Sequence, residues 1–102
     1  MKPHRHWVPE GATVIGLQDL PCRVQARVVG LRAALNSDER EVALRLLEIG
    51  FLRDEPVQVM AHGSPGRDPL AVRVGRSTFA LRRHEAALVE VQVLDGVTPV
   101  RP

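Results

Sequence analysis

A mainly-β fold, a small barrel closed by one α-helix, follows from three features of the sequence. Valines alternate with polar residues in short runs, as at Val57-Gln58-Val59 and Val89-Glu90-Val91-Gln92-Val93. Glycine and proline punctuate the chain between those runs. Only one long segment, residues 37–49, repeats its apolar side chains at helical spacing. The chain has 102 residues, the size of one domain, with 44% hydrophobic and 25% charged residues. Its aromatic side chains are Trp7, Phe51 and Phe79, so the core has to be aliphatic.

Taken in order, residues 1–12 include Pro3, Pro9 and Gly11 and show no periodicity, which predicts a flexible N-terminal arm. The composition of residues 95–102 predicts a similar C-terminal tail, leaving 13–94 as the folded domain. Thr13 to Leu20 reads as a short helical turn, capped by Thr13 and stopped by Pro21. From Arg23 to Val29 the pattern is that of a half-buried strand with Val24, Ala26 and Val28 inward. The helix at 37–49 aligns Val42, Leu46 and Ile49 on one face, and Asp38, Glu39 and Glu41 near its start suit the macrodipole. Asn36, Ser37 or Asp38 can cap it. Gly50 then supplies the positive φ of a helix stop, and Phe51 folds back on the last turn.

In the next strand Val57, Val59 and Ala61 alternate with Gln58, Met60 and His62, which puts His62 on the outward face. The run His62-Gly-Ser-Pro-Gly-Arg-Asp-Pro69 is rich in turn residues and connects to a strand with Leu70, Val72 and Val74 inward. Gly75-Arg76-Ser77 predicts a tight hairpin into Thr78–Arg82, where Phe79 and Leu81 share a face. Arg83 to Ala86 forms one helical turn, and Val89, Val91 and Val93 line the last strand. The expected topology is thus a five-stranded, partly open barrel of the SH3 type, with one α-helix inserted after the first strand and a short helical turn before the last. The helix lies over one end of the barrel.

Fourteen Lys and Arg face twelve Asp and Glu, giving a formal charge of +2 and a calculated pI near 9.5, with both signs interspersed. No phosphate-binding loop and no nucleophile elbow is present, so the chain reads as a non-enzyme. Cys22 stands alone, which excludes an internal disulfide and suits a reducing compartment. No apolar run approaches the ~20 residues of a membrane span, and no h-region follows the charged N-terminus. A cytoplasmic location is expected. No cofactor is expected either. His4 and His6 could hold a transition metal loosely if another ligand reached them, and His62 is a further candidate, although a solvated arm and a surface histidine account for all three. Arg73, Arg76, Arg82 and Arg83 gather around one hairpin and could meet phosphates or an acidic protein surface; the scarcity of aromatic residues for base stacking argues against nucleic acid.

Several short motifs in sequence order resemble the FeoA family: Leu46-Leu-Glu-Ile-Gly-Phe-Leu52, Val57-Gln-Val59, Asp68-Pro-Leu70, Val72-Arg-Val74, Ala80-Leu-Arg-Arg83 and Glu85-Ala86 before a valine-rich strand. The similarity spans Leu17 to Val93. Arg53-Asp54 stands where the family usually has Pro-Gly, and Arg67-Asp68-Pro69 where it has Gly-Asp-Pro. The resemblance implies an SH3-like barrel that assists FeoB, the membrane permease for ferrous iron, by binding its cytoplasmic GTP-binding domain. The same barrel is similar to the C-terminal, metal-responsive domain of iron-dependent repressors, and a nucleic-acid-binding small barrel is a third reading. A homo-oligomer is compatible with the sequence.

Leu44 and Leu47 lie off the Val42, Leu46, Ile49 stripe, so they are either clasped by the N-terminal segment or offered to a partner. On the second reading the recognition surface for FeoB combines Leu44, Leu47, the Phe51 turn and the Arg82-Arg83 corner.

Overall fold

The side chains that build the core come from every strand but the first and from both faces of the Gly50 turn. Leu17, Leu20, Val28, Leu46, Phe51 and Val59 are all fully buried, and Ile15, Val24, Val42, Ile49 and Phe79 pack against them from partly covered positions. The computed structural model describes residues 13–94. The expected arm and tail, with His4, His6 and Trp7, lie outside the described residues.

The mainly-β architecture stands, but with six strands rather than five. They are β1 (Val14–Gly16), β2 (Ala26–Leu31), β3 (Pro56–His62), β4 (Leu70–Val74), β5 (Ser77–Leu81) and β6 (Val89–Val93). All pair antiparallel in one sheet of order β1-β6-β2-β3-β4-β5. Among the described residues no pairing joins β1 to β5, so the sheet wraps its aliphatic core without closing. The extra strand is β1, at the start of the segment read as a helical turn: Val14, Ile15 and Gly16 pair with Gln92, Val91 and Glu90, and a 3-10 turn follows only at Leu17–Asp19. As a result the helix comes after the second strand. β2 also starts later than expected, because Arg23 takes φ 70° and the pairing with β3 and β6 begins at Ala26.

Helix α1 (Ser37–Ile49) has the expected bounds, and local chemistry accounts for both ends. Asn36 Oδ1 accepts from the Glu39 N–H at 2.8 Å, while a Glu39 carboxylate oxygen accepts from the Leu35 N–H at 3.0 Å. At the other end Gly50 has φ 127°, and the Phe51 N–H donates to the Leu46 carbonyl at 3.0 Å, the closing bond of a Schellman motif. That bond turns Phe51 inward. The short helix α2 (Arg83–Ala86) is fixed by reciprocal bonds of 2.9 Å: the Arg82 N–H donates to Glu85 Oε1, and the Glu85 N–H donates to the Arg82 carbonyl.

A bulge in β3 changes which side chains face outward. Val57 and Val59 sit opposite Val74 and Val72, as the alternation requires, but the register shifts between Val59 and Ala61. Ala61 then faces Ala71 and is exposed, whereas His62 faces Leu70 and is half-buried. One additional residue inverts the phase of everything after it. The expectation of an outward His62 is thereby corrected.

Candidate partner surface

Large apolar side chains are left uncovered along α1 and at its ends. Leu44 is 59% and Leu47 42% exposed; Leu35, before the cap, and Leu52, after the Gly50 turn, are also exposed. On α1 the buried residue is Leu46, and the exposed Leu44 and Leu47 lie two residues before it and one after it. Phe51, expected in the recognition surface, is fully buried, because the helix stop that reverses the chain also drives its ring into the core. Leu52 is the exposed apolar side chain of that turn.

The cationic corner is built from three elements. Arg82 is exposed and Arg83 half-buried at the start of α2. Asp68, in the loop between β3 and β4, accepts from the Arg83 N–H at 3.0 Å through one carboxylate oxygen and holds the other 4.0 Å from Arg82 Nη1. From α1, Arg45 pairs with Glu85. The structure therefore joins Arg45, Asp68, Arg82, Arg83 and Glu85 into one connected group.

The leucines do not all border that group. A helix turns 100° per residue, so Leu44 lies 100° around α1 from Arg45 and Leu47 lies 60° further round on the same side, 160° from Arg45. Since Arg45 is the side chain reaching α2, Leu47 is turned away from the Arg82-Arg83 corner. Leu44 lies between them. The signal that could have separated these positions was the helical wheel itself, with Arg45 and Glu85 as a cross-element ion pair.

His62 is the other candidate with distinctive surroundings. Its Nε2 lies 3.2 Å from Arg67 Nη2, and its Nδ1 is buried with no partner among the described residues. Burial, and then the Arg67 and Arg83 guanidiniums, push its pKa below 6.5. A neutral imidazole is a competent metal ligand, but among the described residues no group of three His, Cys, Asp or Glu converges on one point. Two shallow recesses of about 170 Å³ indent the surface, one including Arg73 and Gln58 and the other including His62, Pro69 and Ala80. Each has a single ionisable side chain, so neither has the paired titratable groups of an acid-base site. No helix among the described residues is long and apolar enough to cross a membrane.

The FeoA domain profile matches residues 15–93, nearly all of the described fold. The chain belongs to the FeoA family. FeoA of Stenotrophomonas maltophilia, solved in complex with zinc, is 40% identical with a TM-score of 0.65, over 74% of this chain and 86% of that one. It is described as a procaryotic SH3 domain protein and a candidate activating factor for bacterial ferrous iron transport. FeoA of Chlorobium tepidum is 27% identical with a TM-score of 0.66, over 80% of this chain and 72% of that one. IdeR of T. acidophilum shares the fold alone, at 16% identity and a TM-score of 0.61, over 86% of this chain and 37% of its own length. No curated protein sequence matches the chain. As an FeoA-family member the chain is associated with ferrous iron transport, on an SH3-like fold.

Proposed function

We propose that this chain is an accessory protein of bacterial ferrous iron uptake that acts in the cytoplasm by docking on the GTP-binding domain of a FeoB-type permease. The observation that carries the reading is the uncovered leucine stripe of α1, Leu44 and Leu47, in a family member whose two recesses among the described residues have one ionisable side chain each. Apolar side chains held out on a rigid helix make an interaction patch, and the Arg82-Arg83 corner, which lies towards the Leu44 side of that patch, supplies charge for steering and register. Phe51 contributes from beneath, by fixing the angle at which α1 leaves the core. The chain would then work by binding, with no turnover of its own.

The test is a titration of the isotopically labelled chain with the isolated GTP-binding domain of FeoB, following backbone amide shifts. The reading expects saturable shifts along α1 and at Arg82 and Arg83, weakened in Leu47→Glu. Shifts confined to other surfaces, or none, would refute it. A parallel titration with Fe(II) addresses the metal-responsive alternative: saturable shifts at His4, His6 or His62 would favour that reading instead.

A further inference from the structure

The sheet ends on one side in β5, and among the described residues no strand pairs with its outer edge. An antiparallel strand bonded on one side leaves alternate N–H and C=O groups pointing outward, a template for a further strand. Natural edges are usually blunted by proline, an internal charge or a bulge. β5 has none of these: its sequence is Ser-Thr-Phe-Ala-Leu, and its register with β4 runs unbroken from Leu70↔Leu81 to Val74↔Ser77.

Charge is gathered at the two ends of this edge instead. Arg76 precedes β5 and Arg82 follows it, both exposed, and Arg73 is exposed opposite Thr78. Two carboxylates lie nearby. Glu55 sits where a Cβ on Gly75 would come within 3.4 Å of its Oε1, and Asp68 is shared between Arg82 and the Arg83 N–H. Cations predominate. Two copies of β5 paired antiparallel about Phe79 would set Arg76 opposite the partner's Arg82, a like-charge pairing that disfavours self-association through this edge. The same arrangement favours an acidic strand.

The outward face adds a second preference. Ala61, Ala71 and Ala80 form a row across three strands, and with His62, Gly63 and Pro69 they line the apolar recess of about 170 Å³. A strand added beside β5 would carry the side chain opposite Ala80 over this recess.

We propose that β5 accepts an extended segment of another protein as an added antiparallel strand, with acidic residues opposite Arg76 and Arg82 and an apolar residue opposite Ala80. Backbone bonds would supply affinity, and the flanking charges and the recess would supply selectivity. The proposal does not rest on the α1 leucines or on the identity of the partner they meet.

The probe is the peptide acetyl-Glu-Thr-Val-Val-Thr-Thr-Glu-amide, whose antiparallel alignment sets its glutamates against Arg82 and Arg76 and its first valine against Ala80. Added to the labelled full chain, it should give saturable amide shifts and slowed hydrogen exchange centred on Ser77–Leu81. Binding should weaken roughly tenfold, or about 1.4 kcal/mol, when both glutamates are replaced by lysine, and likewise for Arg73→Glu/Arg76→Glu, whose altered side chains are exposed and leave the core intact. No response of these amides at about 1 mM peptide, or equal responses to the two peptides, overturns the proposal. So does a response to short single-stranded DNA in place of the peptide, or shifts of the same amides with protein concentration alone, which would assign the edge to a second copy.

Discussion

Arg67 Nη2 stands 3.2 Å from His62 Nε2, and because a guanidinium carries only donors the imidazole nitrogen has to accept. The ring proton then sits on the buried Nδ1. Protonating His62 would place a second donor against Arg67, with Arg83 adding to the repulsion.

A pH dependence of stability follows from that pair. Burial first, and then Arg67 and Arg83, lower the His62 pKa below 6.5 in the folded chain. Between the folded value and about 6.5 the unfolded chain binds more protons, so stability falls as pH drops through that window and is fully retained above it. Urea midpoints should decrease between about pH 7.5 and about pH 5.5, and His62→Gln should reduce the decrease. An identical pH profile in both proteins would show that this histidine is not responsible.

Neighbouring leucines on α1 should behave oppositely. Leu46 is fully buried and Leu47 is 42% exposed. Leu46→Ala should cost about 2–5 kcal/mol in urea unfolding, whereas Leu47→Glu should stay within about 0.5 kcal/mol. If Leu47→Glu unfolds the chain, the outward stripe of α1 is core and the docking surface has to be sought elsewhere.

Two glycines are sensitive for different reasons. Gly50 has φ 127°, and an added Cβ would meet nothing within 4 Å, so Gly50→Ala should cost roughly 1–2 kcal/mol from backbone conformation alone. At Gly63 an added Cβ would lie 2.7 Å from the Asp68 carbonyl oxygen and 2.8 Å from that of Pro69. Gly63→Ala should therefore force the β3–β4 connection apart and cost about 1–3 kcal/mol. Amide shifts would separate the cases, local to the helix end in the first and spread from His62 to Leu70 in the second.

The Arg45–Glu85 pair should be worth little by itself. The Arg45 side chain is half exposed, so a double-mutant cycle with Arg45→Ala and Glu85→Ala should give a coupling of about 0.2–1 kcal/mol that fades with added salt. Glu85→Ala alone should cost more than Arg45→Ala, because Glu85 also accepts the Arg82 N–H at 2.9 Å and so caps α2. Equal losses would mean that the cap contributes nothing.

Elements whose causes are local were legible in the sequence. The run of candidate caps from Asn36 to Asp38, the Gly50 stop and the Val42, Leu46, Ile49 face define α1 within one stretch of chain, with Asn36 the one the structure uses, and Gly75 with φ 59° makes the β4–β5 hairpin where the residues suggested it. β1 was not legible, since three residues carry no period and Val14–Gly16 becomes a strand only because β6 lies beside it. Of the residues read as a partner surface, the helical wheel placed Leu44 and Leu47 off the buried stripe and both are exposed, whereas Phe51 is core.

The sequence alone determined the fold class and the bounds of the helix, because caps, turns and alternation act over a few residues and survive without knowledge of neighbours, and its ordered motifs carried the resemblance to the FeoA family. Tertiary structure decided the strand order, the β3 bulge that turned His62 inward and Ala61 outward, and the rotation that sets Leu47 away from the Arg82-Arg83 corner. Those outcomes depend on which distant backbone or side chain each residue meets, and pairing across the sheet is where that choice is made.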